Sequence, residues 1–336
     1  ALLRFIEAFS GAPILLMTAS LPRHRLERLQ ALLGGAFEIV AGPREHEAVQ
    51  RYILSDPVEE APWDAVGEVL ERGGKVLWVS NRVDRCVAVG RTGEARFPSV
   101  PIFPYHSRYR YRDRVTRHEA LISAFREAGA AFAVTTQVCE VSLDISADLL
   151  VSDLAPVPSL IQRLGRLNRR ASPEAPGRPC RAFFLHPSSP APYEEADLAV
   201  AEAWLGALSG RSVSQRDLAE AFERTVPEGE EGGVLPSEWL DGGKVSRRAP
   251  LREAGVTITV LRAEDAEAIE AGPGMRKAIL ANGIPMLLPP VQEGIAPWPL
   301  LGHASVAPKG AIAYDVRWGA TWRKNPGRPE RHDRLR

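Results

Sequence analysis

Short apolar runs at residues 14–17 (ILLM), 76–79 (VLWV), 131–134 (AFAV), 149–151 (LLV) and 182–185 (AFFL) alternate with longer segments of helical pattern. None of these runs alternates apolar with polar residues, which is the pattern of strands buried on both faces. Between them, residues 23–33, 63–72, 113–128 and 159–167 read as amphipathic or capped helices. Parallel strands need a crossover of about a dozen residues or more, and a helix supplies it. The expected class is therefore α/β, a parallel sheet with flanking helices.

The 336 residues suffice for about two domains of ordinary size. Residues 42–62 are acidic and Pro-containing without strong periodicity, and read as a linker. Residues 63–190 form the expected main α/β domain. Residues 191–245 follow as a linker helix and loop. From residue 246 the character changes: 256–260 (VTITV) alternates like a half-buried strand, 263–269 looks helical and 314–322 is aromatic-rich. A small α+β C-terminal domain is expected over 246–322, then a basic tail over 323–336.

Composition narrows the class further. Hydrophobic residues make up 45% and charged residues 25%, and no apolar run reaches the roughly 18 residues of a membrane-spanning helix. A helical membrane protein is excluded. Lys+Arg and Asp+Glu are both 42, so any basic surface must be local. Three scattered cysteines (Cys86, Cys139, Cys180) are too few for a disulfide framework or a four-ligand zinc site. Residues 2–9 lack the regions of a signal peptide, and a cytoplasmic location is expected.

Five segments carry candidate chemistry. In 159–170 (SLIQRLGRLNRR), helical spacing puts Gln162, Arg166 and Arg169 within roughly 60° of one another as one polar stripe. Two guanidiniums so placed suit the charge of a transferring phosphoryl group, and Gly165 leaves the approach open. Ser159 and Gln162 also have capping-box spacing, and the arginines could form a solvated face. Residues 135–144 (TTQVCEVSLD) set hydroxyls, an amide and two carboxylates just after a strand, where α/β sheets bind ligands; a polar turn is the alternative. Residues 18–20 (TAS) open a strand-to-helix turn in which Thr18 or Ser20 could cap. Ser80 and Asn81 likewise end a strand. Residues 105–117 pack five arginines and three tyrosines against one Asp, suited to phosphates and bases or to a solvated loop.

Read in order, these segments resemble the motifs of superfamily 2 helicases. The wording of residues 105–107 (YHS), 137–144 (QVCEVSLD) and 159–169 (SLIQRLGRLNR) is similar to the Cas-three helicase-nuclease family of type I CRISPR systems. The resemblance covers about residues 12–186. It implies the end of a first RecA-like domain in 1–41 and a second RecA-like domain in 63–190. Arg166 and Arg169 would be arginine fingers for ATP, Gln162 would position the phosphate or attacking water, and Asp144 would fix the nucleotide side. Thr135, Thr136, Ser80, Asn81, His106 and Arg108 would contact the backbone of single-stranded DNA. Thr18 and Ser20 would couple hydrolysis to movement; the family more often has T-A-T, and the serine keeps the hydroxyl.

Neither a G-x-x-x-x-G-K-[ST] phosphate loop nor a D-E-x-H segment occurs in these residues, and His332-Asp333 is an isolated dipeptide. No metal site is expected here. ATP and Mg2+ remain the implied cofactors, with their phosphate loop and metal on a missing N-terminal helicase-nuclease half. The chain alone should then hydrolyse no ATP. An RNA-guided surveillance complex is the partner the family implies, and no membrane is involved. The competing readings are a non-catalytic nucleic-acid or protein docking module, and part of a superfamily 2 RNA helicase.

Overall fold

The computed structural model describes residues 42–225, 257–269, 271–287 and 298–323, together with Leu15, Arg23, Leu26, Glu27, Gln30 and 38–40. The elements run α1 (Arg44–Glu47), β1 (Gln50–Val58), α2 (Trp63–Glu71), β2 (Lys75–Val79), α3 (Val83–Arg96), β3 (Ile102–Tyr105), α4 (Tyr111–Arg126), β4 (Ala131–Thr135), α5 (Val138–Ser142) and β5 (Leu149–Asp153). Then follow α6 (Val157–Leu164), β6 (Cys180–Leu185), α7 (Glu195–Gly206), β7 (Ser212–Ser214) and α8 (Gln215–Thr225). The C-terminal elements are β8 (Thr257–Arg262), α9 (Ala263–Glu267), α10 (Met275–Asn282), β9 (Ile284–Leu287), β10 (Leu300–Leu301), β11 (Ala304–Ala307), β12 (Ile312–Asp315) and β13 (Gly319–Trp322). The strand expected at 14–17, and with it Thr18 and Ser20, falls outside the described residues except for Leu15.

Two units share these elements, and the division falls inside β5. The described parts of 62–151 and 255–336 make one. Its strand order is β3-β4-β2-β5, with β2 and β3 both parallel to β4. Every residue of β2 and β4 is buried, which is why their sequences show no polar alternation. Each large apolar side chain so buried contributes about 1.5–3 kcal/mol. Trp63 of α2 closes on Trp78, with ring centroids 4.7 Å apart. Gly93 lets α3 approach the sheet, since a Cβ there would sit 2.8 Å from the Phe132 ring.

The C-terminal residues belong to this same unit. A four-stranded sheet of order β10-β11-β8-β9 and the β12–β13 hairpin enclose Val260, Ile284, Met286, Ala307, Ile312 and Ala320.

The second unit takes the described parts of 1–61 and 152–254. Here the order is β5-β6-β1-β7, with β1 parallel to β6 and antiparallel to β7. Strand β1 therefore occupies the segment that lacks sequence periodicity and reads as a linker. Tyr52 and Leu54 point into the core, but Arg51 is buried as well and the register shifts before Pro57. A buried arginine and a proline conceal the strand's pattern. Trp204 of α7 anchors the far side, donating from Nε1 to the Leu218 carbonyl at 3.2 Å.

Candidate functional site

In the first unit, parallel pairing brings the carboxyl ends of β2 and β4 to one edge. The Ser80 N–H donates to the Thr135 carbonyl at 2.9 Å, and Gln137 Nε2 donates to the Asn81 carbonyl at 2.9 Å. Ser80, Asn81, Thr135 and Thr136 are thus assembled together, all buried. Among the described residues, Ser80 Oγ and Thr135 Oγ1 have no hydrogen-bond partner. A buried hydroxyl with unused capacity costs about 1–3 kcal/mol, so such groups concentrate where a ligand is met. Asp144 lies apart from them in character, exposed beyond the short helix α5.

His106 and Arg108 have different fates. The His106 ring is fully buried, stacked on Tyr109 at 4.4 Å, and its Nδ1 accepts the Arg108 N–H at 3.2 Å. Burial, with the Arg108 charge adding to it, pushes its pKa down to about 3, so the imidazole is neutral. It presents no surface to a phosphate, and its contribution to any nucleic-acid contact must pass through Arg108. The Arg108 guanidinium meets Asp84 at 2.9 Å and remains partly exposed.

Three further residues of the Arg/Tyr segment are structural, while Tyr111 and Arg112 stay exposed. Arg110 is buried on Asp265, Tyr109 donates from its hydroxyl to the Arg317 carbonyl at 2.6 Å, and Arg117 Nε donates to the Val316 carbonyl at 2.7 Å. What the sequence offers as a basic strip or solvated loop is largely the attachment of the C-terminal residues. Its partners lie 155 to 208 positions downstream, beyond the reach of local pattern.

In the second unit the helix that carries the arginine segment is shorter than expected. Helix α6 starts at Val157 and ends at Leu164, not Leu167. Gly165 caps it, the Arg166 and Leu167 N–H groups bond three residues back, and Asn168 then takes a left-handed conformation with φ 47°. Gln162 is half-buried on the helix, Arg166 is buried on the turn, and Arg169 is exposed, its Nη1 donating to the Gly165 carbonyl at 3.2 Å. A helical wheel assumes the helix continues; Gly165 and Asn168 stop it.

Two arginines without sequence signal hold this turn. Arg163, fully buried, donates to Ser152 Oγ at 2.9 Å, to the Asp153 carbonyl at 3.0 Å and to Tyr193 Oη at 3.3 Å. It locks α6 to the end of β5. Arg51 reaches the turn from β1, with Nη1 3.2 Å from the Asn168 carbonyl and 3.3 Å from that of Arg169. A turn fixed at its backbone and carrying guanidiniums suits phosphate oxygens. Among the described residues no group of three or more His, Cys, Asp or Glu is placed to hold a metal ion.

Residues 72–172 match the family model described as the C-terminal part of the CRISPR-associated nuclease/helicase Cas3. A putative CRISPR-associated nuclease/helicase Cas3 of Myxococcus xanthus is 46% identical over 334 residues, 96% of this chain and 43% of the relative. The chain belongs with the C-terminal part of the Cas3 family. It spans less than half the length of that Cas3 relative. A crystal structure of a CRISPR-associated protein superposes with a TM-score of 0.65 at 18% identity, covering 96% of this chain and 49% of the other. One of T. fusca Cas3-ATP superposes with a TM-score of 0.63 at 19% identity, covering 85% and 44%. The fold is thereby that of Cas3 helicase domains, an α/β RecA-like sheet.

Proposed function

We propose that this chain is the C-terminal helicase portion of a Cas3-type motor that uses ATP to move along single-stranded DNA, recruited by an RNA-guided surveillance complex. The observation that carries the reading is the turn at residues 165–170, which sets Arg166 and Arg169 on a backbone held by the buried guanidinium of Arg51. Negative charge spreads over the oxygens of the phosphoryl group as it leaves ATP, and guanidiniums meeting those oxygens stabilise it. Arg166 and Arg169 take that part, and Gln162 orients the phosphate or the attacking water. Asp144 fixes the nucleotide side. Ser80, Asn81, Thr135, Thr136 and Arg108 grip the DNA backbone, and buried His106 holds the backbone of Arg108. Thr18 and Ser20 couple hydrolysis to movement. In this reading the phosphate loop and magnesium site lie in the part of a Cas3-type protein that these 336 residues do not match.

The test is DNA-stimulated ATP turnover of the full-length protein. Arg166→Ala should lower it by about 10³-fold or more while leaving single-strand affinity within about twofold. Equal loss of turnover and DNA binding would mean that the arginine is structural. The 336-residue chain alone should show no turnover; robust hydrolysis by a homogeneous preparation overturns the half-motor reading.

A further inference from the structure

Arg51 is an unusual resident of a strand. Its side chain is buried, and among the described residues no carboxylate pairs with it. Burying a guanidinium costs more than burying an apolar chain of the same size. What it offers instead is a fork of donors. Nη1 donates to the successive carbonyls of Asn168 and Arg169 at 3.2 and 3.3 Å, and Nη2 to the His46 carbonyl at 3.3 Å. Asn168 completes the clasp, its Nδ2 reaching the Arg51 carbonyl at 3.4 Å and the Arg178 carbonyl at 3.3 Å. An asparagine tolerates the left-handed conformation at φ 47° that directs the carbonyls toward the guanidinium.

We infer that Arg51 is a positioning residue for ATP turnover: through the carbonyls of Asn168 and Arg169 it fixes the turn on which Arg166 and Arg169 stand. The inference rests on the reading of those arginines given above. A lysine cannot take the place of Arg51, because one ammonium lacks the fork that spans two successive carbonyls and a third, that of His46, just before the strand. Arg166 and Arg169 touch substrate in this reading and Arg51 does not, so losing Arg51 misplaces the charges without removing them.

The test has two arms. In the 336-residue chain, amide hydrogen exchange of residues 166–171 and the rate of tryptic cleavage after Arg169 and Arg170 report the turn directly. Arg51→Met, which keeps the packing, and Asn168→Gly, which keeps the backbone conformation, should each raise exchange there on the order of tenfold with the core strands still protected. In the full-length protein, Arg51→Ala should cut kcat for ATP by about 10- to 100-fold, with KM and DNA affinity little changed. Millimolar guanidinium should restore much of the loss, a rescue that a merely destabilised fold would not show. Unchanged exchange in both chain variants, or a full-length Arg51→Ala protein with normal kcat while Arg166→Ala is inactive, overturns the inference. Normal turnover by Arg166→Ala strikes the arginine-finger reading itself, so the two failures fall on different variants.

Discussion

Arg110 and Asp265, 155 residues apart, form a two-pronged pair in which one guanidinium nitrogen lies 2.7 and 2.8 Å from the two carboxylate oxygens. Arg262 meets the same carboxylate at 2.8 and 3.1 Å, and the Arg110 guanidinium lies 4.4 Å from the centre of the Tyr314 ring. The Tyr314 hydroxyl also bonds Asp113. One carboxylate thus balances two arginines where the C-terminal residues join the helix α4 entrance.

Asp265→Asn should therefore destabilise the first unit by about 3 kcal/mol, the cost of leaving the buried Arg110 guanidinium and the half-buried Arg262 one without a counter-charge. Urea unfolding at pH 7 followed by tryptophan fluorescence measures it. A change below 1 kcal/mol would mean that water, not Asp265, satisfies the arginines.

The same carboxylate gives a pH dependence. Burial raises its pKa, but the hydrogen bonds from Arg262 and Arg110 outweigh this and hold it below the ordinary aspartate value. The stability it contributes is complete above about pH 3.9 and is lost as pH falls through the lower folded value. In Asp265→Asn that acid-limb loss should be smaller, which melting at pH 5 and pH 2.5 checks.

His106 acts in a different window. Its folded pKa of about 3 lies below the unfolded value, about 6.5, so between them the unfolded chain binds a proton that the folded chain refuses. Stability is complete above about pH 6.5 and falls toward pH 3 by up to about 1.4 kcal/mol per unit. His106→Phe, which keeps a ring against Tyr109, should flatten this slope relative to the parent. Parallel slopes in the two proteins would refute burial as its cause.

The parallel strands were legible because β2, β4 and β5 carry unbroken apolar runs at 76–79, 131–134 and 149–151, the mark of burial on both faces. Strand β1 was not, because the side chain facing inward at position 51 is an arginine. The edge formed by Ser80, Asn81, Thr135 and Thr136 followed from their positions after strands. The helix beneath Gln162, Arg166 and Arg169 is shorter than the pattern predicts, since a cap at Gly165 and a left-handed Asn168 follow its end at Leu164. The Arg/Tyr segment could not be assigned from pattern, because Asp265, Tyr314 and Arg317 decide its role from far along the chain.

Arg163 and Arg169 make the last contrast, two arginines six residues apart with opposite surroundings. Arg163 is fully buried and bound to Ser152, Asp153 and Tyr193, while Arg169 is exposed. Removing Arg163 leaves a cavity and unsatisfied groups at the end of β5, so Arg163→Ala should cost about 3 kcal/mol or more. Arg163→Met, which fills the space without donating, should recover part of that. Arg169→Ala removes an exposed side chain and should shift stability by no more than about 0.5 kcal/mol. In the full-length protein the order reverses for chemistry: Arg169→Ala should lose ATP turnover with its fold intact, and Arg163→Ala should lose turnover only in step with its folded fraction. Equal melting shifts for the two alanine variants would show that burial does not separate these arginines.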